Sequence, residues 1–525
     1  MKQDIFKLQQ NVKRPYNLFD LSHDLKTSFQ MGKLIPTLCL ETLPGDKFRI
    51  QVNSLTRFMP LVSPTMHRFT ITHHVFFVPR RITWSDWDDF ISGKEELVPP
   101  YADSIDIAEG DLGDYFGLPI GMPATEKVSA FQAAAYDHIY HWYYQASLLN
   151  SSEPDMLSAG DNTTITAMYN AEPYSVAWEH DYFTAALPYG QYGSEEVVIP
   201  LAGLSDTSGL HGGHATLMHV KYATSSRPII RDYTYPNDPM ANESGLRTDA
   251  SGYIQGASDT GIIDPNNSLY IHSDDWGTIA DLRRAIKLNE FLELDARAGD
   301  RFDEQIYNRF GVRSRDARIQ KPEYIGGSKS ALVVSEVLSS AETIDFDSTD
   351  VISPIGSMAG HGVGITAGNS FNYFCEEWGD IICLTFVRPK TGYHQGLHRM
   401  FSREDRLDYY WHEFALIGEQ AILTKELYAA GTQTSNDLEF GYVPRFSEYK
   451  FMNSRCSGKM HATLDHWHLI RQFSSAPTLN DDFVTCSPDT RIFADTSLSA
   501  HHIVAHIDFN IKVLRQMPKF ANPTI

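Results

Sequence analysis

The sequence has few cysteines, and their spacing argues against a fold held together by disulfides. Cys39, Cys375, Cys383, Cys456 and Cys486 are odd in number and form no C-x-x-C pair. A disulfide framework or a closed zinc site is therefore not expected. We expect the chain to fold in a reducing cytoplasm.

The sequence also lacks long apolar runs. Its first residues, MKQDIFKLQQNVKRP, contain no apolar segment of the kind that directs secretion. No later stretch is apolar for long enough to cross a bilayer. We therefore expect neither export by a signal peptide nor a membrane span.

Positive charge is scarce. The 44 Lys and Arg residues face 66 Asp and Glu residues, so the formal net charge is -22. Tight binding to nucleic acid comes mainly from cations that neutralise phosphates. If DNA lies near this protein, another molecule should supply most of the positive charge.

What the sequence does contain is typical of a large, loop-rich β protein. At 525 residues the chain exceeds the usual size of one hydrophobic core. Its 35 Gly, 26 Pro and 12% aromatic residues suit many strands and turns. We predict one core with long insertions.

Residues 46–81 contain the clearest strand signals. Apolar and polar residues alternate over 48–52 and again over 68–77, which predicts two half-buried strands. Because no helical crossover follows either strand, an antiparallel sheet is favoured. A break in the alternation at Ser54 and Leu55 predicts a bulge or bend there, between two strand pairings.

The last strand signal lies at the C-terminal end. Residues 502–515 alternate regularly, and a strand this long needs partners from far away in the sequence. We expect the first and last strands to share one sheet, as they do in jelly rolls. Further strands are predicted over 331–338, 380–389 and 441–452.

Helix signals are fewer. An apolar stripe over 128–149 predicts an amphipathic helix. A capping-box pattern at 278–281 predicts the start of a second helix, and a short third helix is expected over 303–310.

Residues 203–277 are dominated by Gly, Ser, Thr, Asp and Asn, which predicts a long surface insertion with small strands of its own. We therefore divide the chain into an N-terminal arm (1–45), a first part of the jelly roll with a helical insertion (46–202), the surface insertion (203–277) and the remainder of the jelly roll (278–525).

One basic run stands out in this acidic chain. It contains five cations opposed only by Asp316, namely Arg309, Arg313, Arg315, Arg318 and Lys321. Such runs are most often solvated or intersubunit faces. The sharper hypothesis is a surface that faces packaged nucleic acid.

No motif predicts an active site. GVGITA at 362–367 has dinucleotide-binding letters but lacks the strand and helix around them, so we interpret it as a glycine-rich loop. The histidine pairs 138/141, 211/214 and 466/468 lack an obvious third ligand. We predict no catalytic residue, no cofactor and no metal ligand.

Two rival functions stay open on the residues alone. One is a glycan hydrolase with paired carboxylates, recruited from Asp86, Asp88 and Asp89 or from Glu376 and Glu377. The other is a monomeric glycan-binding module. A protein built to pack against copies of itself is favoured over both.

Long colinear segments then point to a family. They are PYNLFDLSHDLKTSFQMGKLIP at 15–36, MHRFTITHHVFFVPRRITWSDWDDFISG at 66–93, RFDEQIYNRFGVRSRDARIQKPEYIGG at 301–327 and RPKTGYHQGLHRMFSREDRLDYYWHEFALIGEQ at 388–420. In these segments the chain resembles the major capsid proteins of microviruses, most closely the gokushovirus branch.

This resemblance implies a single eight-stranded antiparallel jelly roll of the viral capsid type, mainly β, with long helix- and loop-containing insertions. It implies a T=1 icosahedral shell of identical subunits around a circular single-stranded DNA genome, with a separate small basic protein that packages the DNA. The virion would assemble in the cytoplasm of a bacterial host. The insertion would form a protrusion at the threefold axes and meet a host cell surface receptor, and its candidate contact residues are Tyr235, Asn237, Asp238 and Tyr253.

Overall fold

The computed structural model describes residues 15–123, 125–145, 149, 152–190, 247–248, 254–255, 279–298, 301–312, 321–338, 343–344, 351–353, 358–429, 432–497 and 500–520. Strands dominate this part of the chain. They are β1 (Asn17–Asp20), β2 (His23–Phe29), β3 (Ile35–Thr42), β4 (Lys47–Phe58), β5 (Phe69–Pro79), β6 (Tyr101–Ala102), β7 (Val128–Ser129), β8 (Arg247–Thr248), β9 (Ile254–Gln255), β10 (Glu323–Leu338), β11 (Thr343–Ile344), β12 (Val351–Ser353), β13 (Met358–Phe374), β14 (Gly379–Pro389), β15 (Glu419–Leu423), β16 (Glu439–Pro444) and β17 (Ile503–Arg515).

The helices of the described residues are mostly short. They are α1 (Arg80–Thr83), α2 (Trp87–Ser92), α3 (Leu112–Tyr115), α4 (Phe131–Tyr143), α5 (Thr163–Tyr169), α6 (Ile279–Ala298), α7 (Phe302–Phe310), α8 (Thr424–Leu427), α9 (Gln433–Asn436) and α10 (Asp481–Val484). Within these described ranges, no helix combines the length and the apolar character needed to span a bilayer.

A nine-stranded antiparallel sheet forms the centre of the fold. Its order is β1-β17-β4-β13-β10-β5-β14-β3, and β2 also pairs with β17. The long strand β10 pairs with β13 through residues 333–338 and with β5 through residues 323–332, so it links the two halves of a curled sheet. The predicted mainly β, antiparallel fold with insertions is confirmed, and it is compatible with a jelly roll.

The two ends of the chain meet in this sheet, as the alternation predicts. β17 pairs with β4 from Ile503 opposite Phe58 to Leu514 opposite Lys47. β1, β2 and β3 lie inside the segment 1–45 that the sequence predicts as an arm, so residues 17–42 contribute strands to the sheet.

Period-two alternation also determines the core. On β5, Val75 and Phe77 point into the core enclosed by the curled sheet, together with side chains from β4, β14 and β17. Phe76 and Val78 point the other way, into a second core that the β5 and β14 face shares with Tyr136 and other residues of α4. This half of the sheet is therefore buried on both faces, which accounts for the unbroken apolar run at its centre.

The bulge predicted at Ser54 and Leu55 is wrong in position. β4 keeps its alternation from Phe48 to Phe58, with Ser54 and Thr56 pointing inward and buried. The irregular register lies on the partner strand β13, between Ala367 and Ser370. Ser54 and Thr56 are polar residues at inward positions, so the alternation of apolar and polar residues along β4 is interrupted in the sequence although the strand is regular.

The glycine-rich loop predicted at 362–367 is also wrong, because these residues lie inside β13. The glycines occupy inward positions where neighbours come very close. A Cβ atom on Gly364 would lie 2.2 Å from Leu332 Cδ2, and one on Gly368 would lie 2.0 Å from the Val52 carbonyl oxygen. Here glycine serves close packing within the sheet rather than a turn or a ligand.

Two other predicted elements end earlier than expected. The strand predicted over 441–452 stops at Pro444, and a 3-10 helix follows over Ser447–Tyr449 after Phe446 in a left-handed conformation. The helix predicted over 128–149 spans Phe131–Tyr143. The helix predicted over 303–310 is observed as α7.

The chain divides into two compact units. One comprises residues 1–190 and 296–525, and the other comprises residues 191–295. Within the smaller unit the described elements are the β8–β9 hairpin and most of α6. The boundaries 203–277 of the surface insertion stay a prediction.

Candidate subunit interface

The structure describes two of the five residues in the predicted basic run. Arg309 lies in the last turn of α7, is half-buried and donates a hydrogen bond from Nε to Gln305 Oε1 at 3.4 Å. Lys321 lies just before β10, and burial, followed by the positive charge of Arg301, lowers its pKa. Arg313, Arg315 and Arg318 lie outside the described residues, as do Tyr235, Asn237, Asp238 and Tyr253.

Several carboxylates considered for glycan hydrolysis are held in ion pairs. Glu377 accepts a hydrogen bond from Arg81 Nε at 2.7 Å. Asp89 accepts one from Lys94 Nζ at 2.6 Å. Both contacts involve exposed or half-buried groups, as expected for surface pairs that contribute little stability.

One surface of the larger unit exposes many large apolar side chains among charged ones. It is formed by two loop segments, 397–417 and 449–452, which we call the apolar loop surface. Leu416 is 96% exposed, so folding of the subunit removes almost none of its side chain from water. The exposed large apolar side chains of these segments are Leu397, Met400, Phe401, Leu407, Tyr409, Tyr410, Trp411, Leu416, Ile417, Tyr449, Phe451 and Met452. Large exposed apolar patches of this kind mark sites where proteins associate.

Aromatic contacts join the two segments. The Tyr410 ring lies 5.1 Å from the Phe446 ring and 6.2 Å from the Tyr449 ring. The Arg403 guanidinium lies 4.5 Å from the centre of the Tyr449 ring. Trp411 donates a hydrogen bond from its indole nitrogen to the Arg406 carbonyl at 2.7 Å. Tyr, Trp and Arg are the residue types that are enriched at the energetic centres of protein interfaces.

A buried ion pair anchors the first segment from below. Arg399 Nη1 lies 3.3 Å from Glu426 Oε1 and donates to the Ala421 carbonyl at 2.8 Å. Tyr182 donates its hydroxyl hydrogen to Glu426 Oε2 at 3.0 Å. Burial raises the pKa of the Glu426 carboxyl, and the positive charge of Arg399 opposes that shift.

A second buried carboxylate anchors the same segment. Arg403 Nη2 lies 3.5 Å from Glu448 Oε1, and Gln420 donates to Glu448 Oε2 at 2.8 Å. Glu426 and Glu448 are both buried. Because buried charges are costly unless they are paired, these contacts indicate loops held in one conformation rather than loose connections.

In the sequence this region is distinguished only as part of the segment 388–420 that carries the family resemblance. The signal that could have identified it is the run DYYWHEF at 408–414, which places four large aromatic residues in a segment without strand or helix periodicity. Apolar residues in such a segment are either buried by tertiary contacts or available to a partner, and only the structure distinguishes these cases.

Side chains on the outer face of the other half of the sheet are exposed. Val333, Ile365 and Val504, on β10, β13 and β17, all point outward and are exposed. This face also carries charged and polar side chains such as Arg57 and His506. It is therefore a mixed surface on which apolar and polar side chains are exposed together.

Known proteins are similar to this chain along almost its whole length. A family described as "Capsid protein (F protein)" matches residues 8–525. Capsid protein VP1 of Chlamydia phage 1 is 30% identical, over 96% of this chain and 95% of that protein. Capsid protein VP1 of Bdellovibrio phage phiMH2K is 29% identical over 96% and 94%, and capsid protein VP1 of Spiroplasma virus 4 is 25% identical over 97% and 95%.

Proposed function

Because the chain belongs to the family of microvirus capsid proteins and is a structural capsid subunit rather than an enzyme, we propose that its copies close into a T=1 icosahedral shell around a circular single-stranded DNA genome. The observation that carries this proposal is the apolar loop surface. Closed symmetric shells need subunits that bury the same patches repeatedly against their neighbours.

In a solitary subunit these apolar side chains stay in contact with water. Burial of apolar surface contributes about 25 cal/mol of favourable free energy for each Å² removed from water. Obligate interfaces are large and apolar at their centres. Side chains such as Leu416 and Ile417, exposed on loops that buried ion pairs hold in place, match that requirement. Preorganised loops also lower the entropy lost on association.

The first experiment measures particle size. The purified full chain should form closed particles or their small-oligomer precursors, seen by electron microscopy and analytical ultracentrifugation. An enzyme or a glycan-binding module would stay small at every concentration, and that result would contradict the proposal.

A matched pair of variants then tests the apolar loop surface. Ile417→Glu should reduce particle yield by about tenfold or more, because a charge would be buried at the interface. Ile120→Glu is the control, since Ile120 is 57% exposed and Ile417 is 59% exposed. Equal particle yields from the two variants would show that the apolar loop surface lies outside the contacts.

We also propose that the basic run faces the DNA or a subunit boundary. Its support is the clustering of Arg309, Arg313, Arg315, Arg318 and Lys321 in a chain of net charge -22. A separate small basic protein would supply most of the remaining neutralising charge. Shell and genome would assemble in the bacterial cytoplasm.

Charge removal tests this assignment. Replacing Arg313, Arg315 and Arg318 by Ala should lower the yield of DNA-filled particles while empty shells still form. The control removes the same charge from another segment, with Arg283, Arg284 and Lys287 of α6 replaced by Ala. Normal packaging by the first triple variant would refute the proposal.

We further propose that the insertion 203–277 meets the host surface through Tyr235, Asn237, Asp238 and Tyr253. Its support is the turn-rich composition of this segment, because loops on a rigid scaffold often carry binding functions. Deleting residues 236–264 should leave shells forming but abolish attachment to host cells. Attachment at the normal level by the deleted shell would disprove this role.

A further inference from the structure

Three side chains with metal-binding atoms meet beside the apolar loop surface. They are His394, Cys456 and His461, and one potential ligand atom from each lies within 4.8 Å of the others. The two imidazole rings are 5.0 Å apart between their centres. His394 Nδ1 is buried and has no hydrogen-bond partner among the described residues.

Backbone contacts position these ligands. The Tyr393 amide, next to His394, donates to the Ser454 carbonyl at 2.9 Å, so the loop of His394 is tied to the segment that carries Cys456. Gly458 adopts a left-handed conformation (φ +68°) at the start of the 3-10 helix Gly458–His461. This turn directs His461 back towards Cys456.

A third contact fixes the end of that turn. A hydrogen bond of 2.9 Å joins His468 Nε2 to the carbonyl oxygen of Met460, the residue before His461. His468 Nδ1 accepts a hydrogen bond from the Ile470 amide at 3.1 Å. Because both His468 nitrogens are used, this histidine supports the cluster and is not one of its ligands.

We propose that His394, Cys456 and His461 form a zinc site, with a fourth position open to the adjacent cavity. Two imidazoles and one thiolate are ligands that Zn²⁺ prefers. Ca²⁺ and Mg²⁺ prefer oxygen ligands, which this set does not offer. Tetrahedral zinc needs ligand atoms about 3.3 to 3.6 Å apart, so the side chains must move together by roughly 1 Å.

The site lies in a cavity of about 400 Å³ that the apolar loop surface also lines, through Leu397, Met400 and Phe451. Zinc would join the loop of His394 to the 456–461 loop beneath that surface. It would therefore stabilise the loops that carry the apolar loop surface, and any effect on assembly rests on the proposed role of that surface. The sequence does not reveal the set, because His394 is 62 residues from Cys456 (456 minus 394) and only Cys456 and His461 are close in the chain.

The experiment uses the full chain, purified with a reductant, stripped of metal, and then exposed to Co²⁺ or Zn²⁺ alone. We expect elemental mass spectrometry to find one tightly bound metal ion per chain. The Co²⁺-loaded chain should also show a thiolate-to-Co²⁺ charge-transfer absorption band. Cys456→Ser should lose that band. His394→Gln should weaken binding by about tenfold or more.

Controls separate this site from adventitious binding by other histidines and thiols. His466→Gln, five residues beyond His461 in the same segment, should bind metal as the unmodified chain does. Circular dichroism should show that every variant is folded. The proposal is overturned if the unmodified chain binds no stoichiometric metal, if the band persists in Cys456→Ser, or if His394→Gln and His466→Gln bind equally.

Discussion

His73 lies at the centre of the curled sheet. Hydrogen bonds join its Nε2 to Ser54 Oγ at 2.9 Å and its Nδ1 to Thr385 Oγ1 at 2.8 Å, so it links β4 and β14 through β5. It is 1% exposed, and burial lowers its pKa to about 4. The folded subunit therefore holds this imidazole neutral.

A neutral buried histidine makes stability depend on pH. The unfolded chain takes up a proton at this side chain near pH 6.5, whereas the folded chain does so only near pH 4. Because the unfolded state binds more protons between these values, acidification favours unfolding. The free energy of unfolding should fall by up to about 1.4 kcal/mol per pH unit for each such histidine.

His73→Gln tests this assignment. We expect the free energy of unfolding of the unassembled subunit to drop by about 1 to 3 kcal/mol at pH 7, because a buried hydrogen-bond partner is lost. Its decline between pH 6.5 and pH 4 should become shallower. The measurement is urea unfolding at a series of pH values.

His361→Gln is the control for that experiment. His361 is exposed on the outer face of β13, so this replacement removes an imidazole without disturbing the buried core. An unchanged slope in His73→Gln would show that His73 does not titrate differently in the folded and unfolded states.

At the scale of the element, β13 shows how glycine permits close packing. Gly360, Gly362, Gly364 and Gly368 all lie on its inward side, and a Cβ at each would meet a neighbour at 2.5 Å or less. At Gly368 that neighbour is the backbone of β4, which cannot turn away as a side chain can. The bulge and the glycine therefore occur together on this strand.

Gly368→Ala should separate β4 from β13 at the bulge. We expect a loss of about 1 to 3 kcal/mol or more in the free energy of unfolding, which is the usual cost of overpacking. The measurement is chemical unfolding monitored by circular dichroism. Ala367→Ser, on the exposed side of the same strand, should change stability by no more than about 0.5 kcal/mol. Equal effects at the two positions would contradict this account of the close contact.

At the scale of the whole molecule, charge opposes assembly while apolar contact favours it. Each copy carries a formal net charge of -22, so neighbouring copies repel one another. Salt screens such repulsion over a Debye length of about 10 Å at 0.1 M and about 3 Å at 1 M. The proposed burial of the apolar loop surface between copies is insensitive to this screening.

Raising the ionic strength should therefore lower the concentration at which particles form. Light scattering of the purified chain, titrated with protein at about 0.05 M and about 0.5 M NaCl, checks this prediction. Sucrose at matched osmolality is the control for non-ionic effects. If particles form at a lower protein concentration in the lower salt, attraction between opposite charges dominates the contacts.

Much of the fold follows from local patterns in the sequence. The alternation over 48–52, 68–77 and 502–515 predicted three strands of the central sheet, because a half-buried strand must place apolar side chains on every second residue. The pairing of β17 with β4 followed from the need of a long terminal strand for distant partners. The family resemblance added the capsid function, which the matches across the chain confirm.

Other features were decided by tertiary structure. Ser54 and Thr56 face the core although they are polar, and Gly362 and Gly364 lie in a strand although glycine usually marks a loop. In both cases the contacts with residues across the sheet, not the local sequence, determine which side chain fits the position. Exposure is likewise a property of the whole fold, so the apolar loop surface could not be separated from core residues in advance. The sequence by itself determined where apolar and polar residues alternate along strands and which family the chain resembles. The tertiary structure decided which polar, glycine and metal-binding residues meet, because those contacts join residues far apart in the chain.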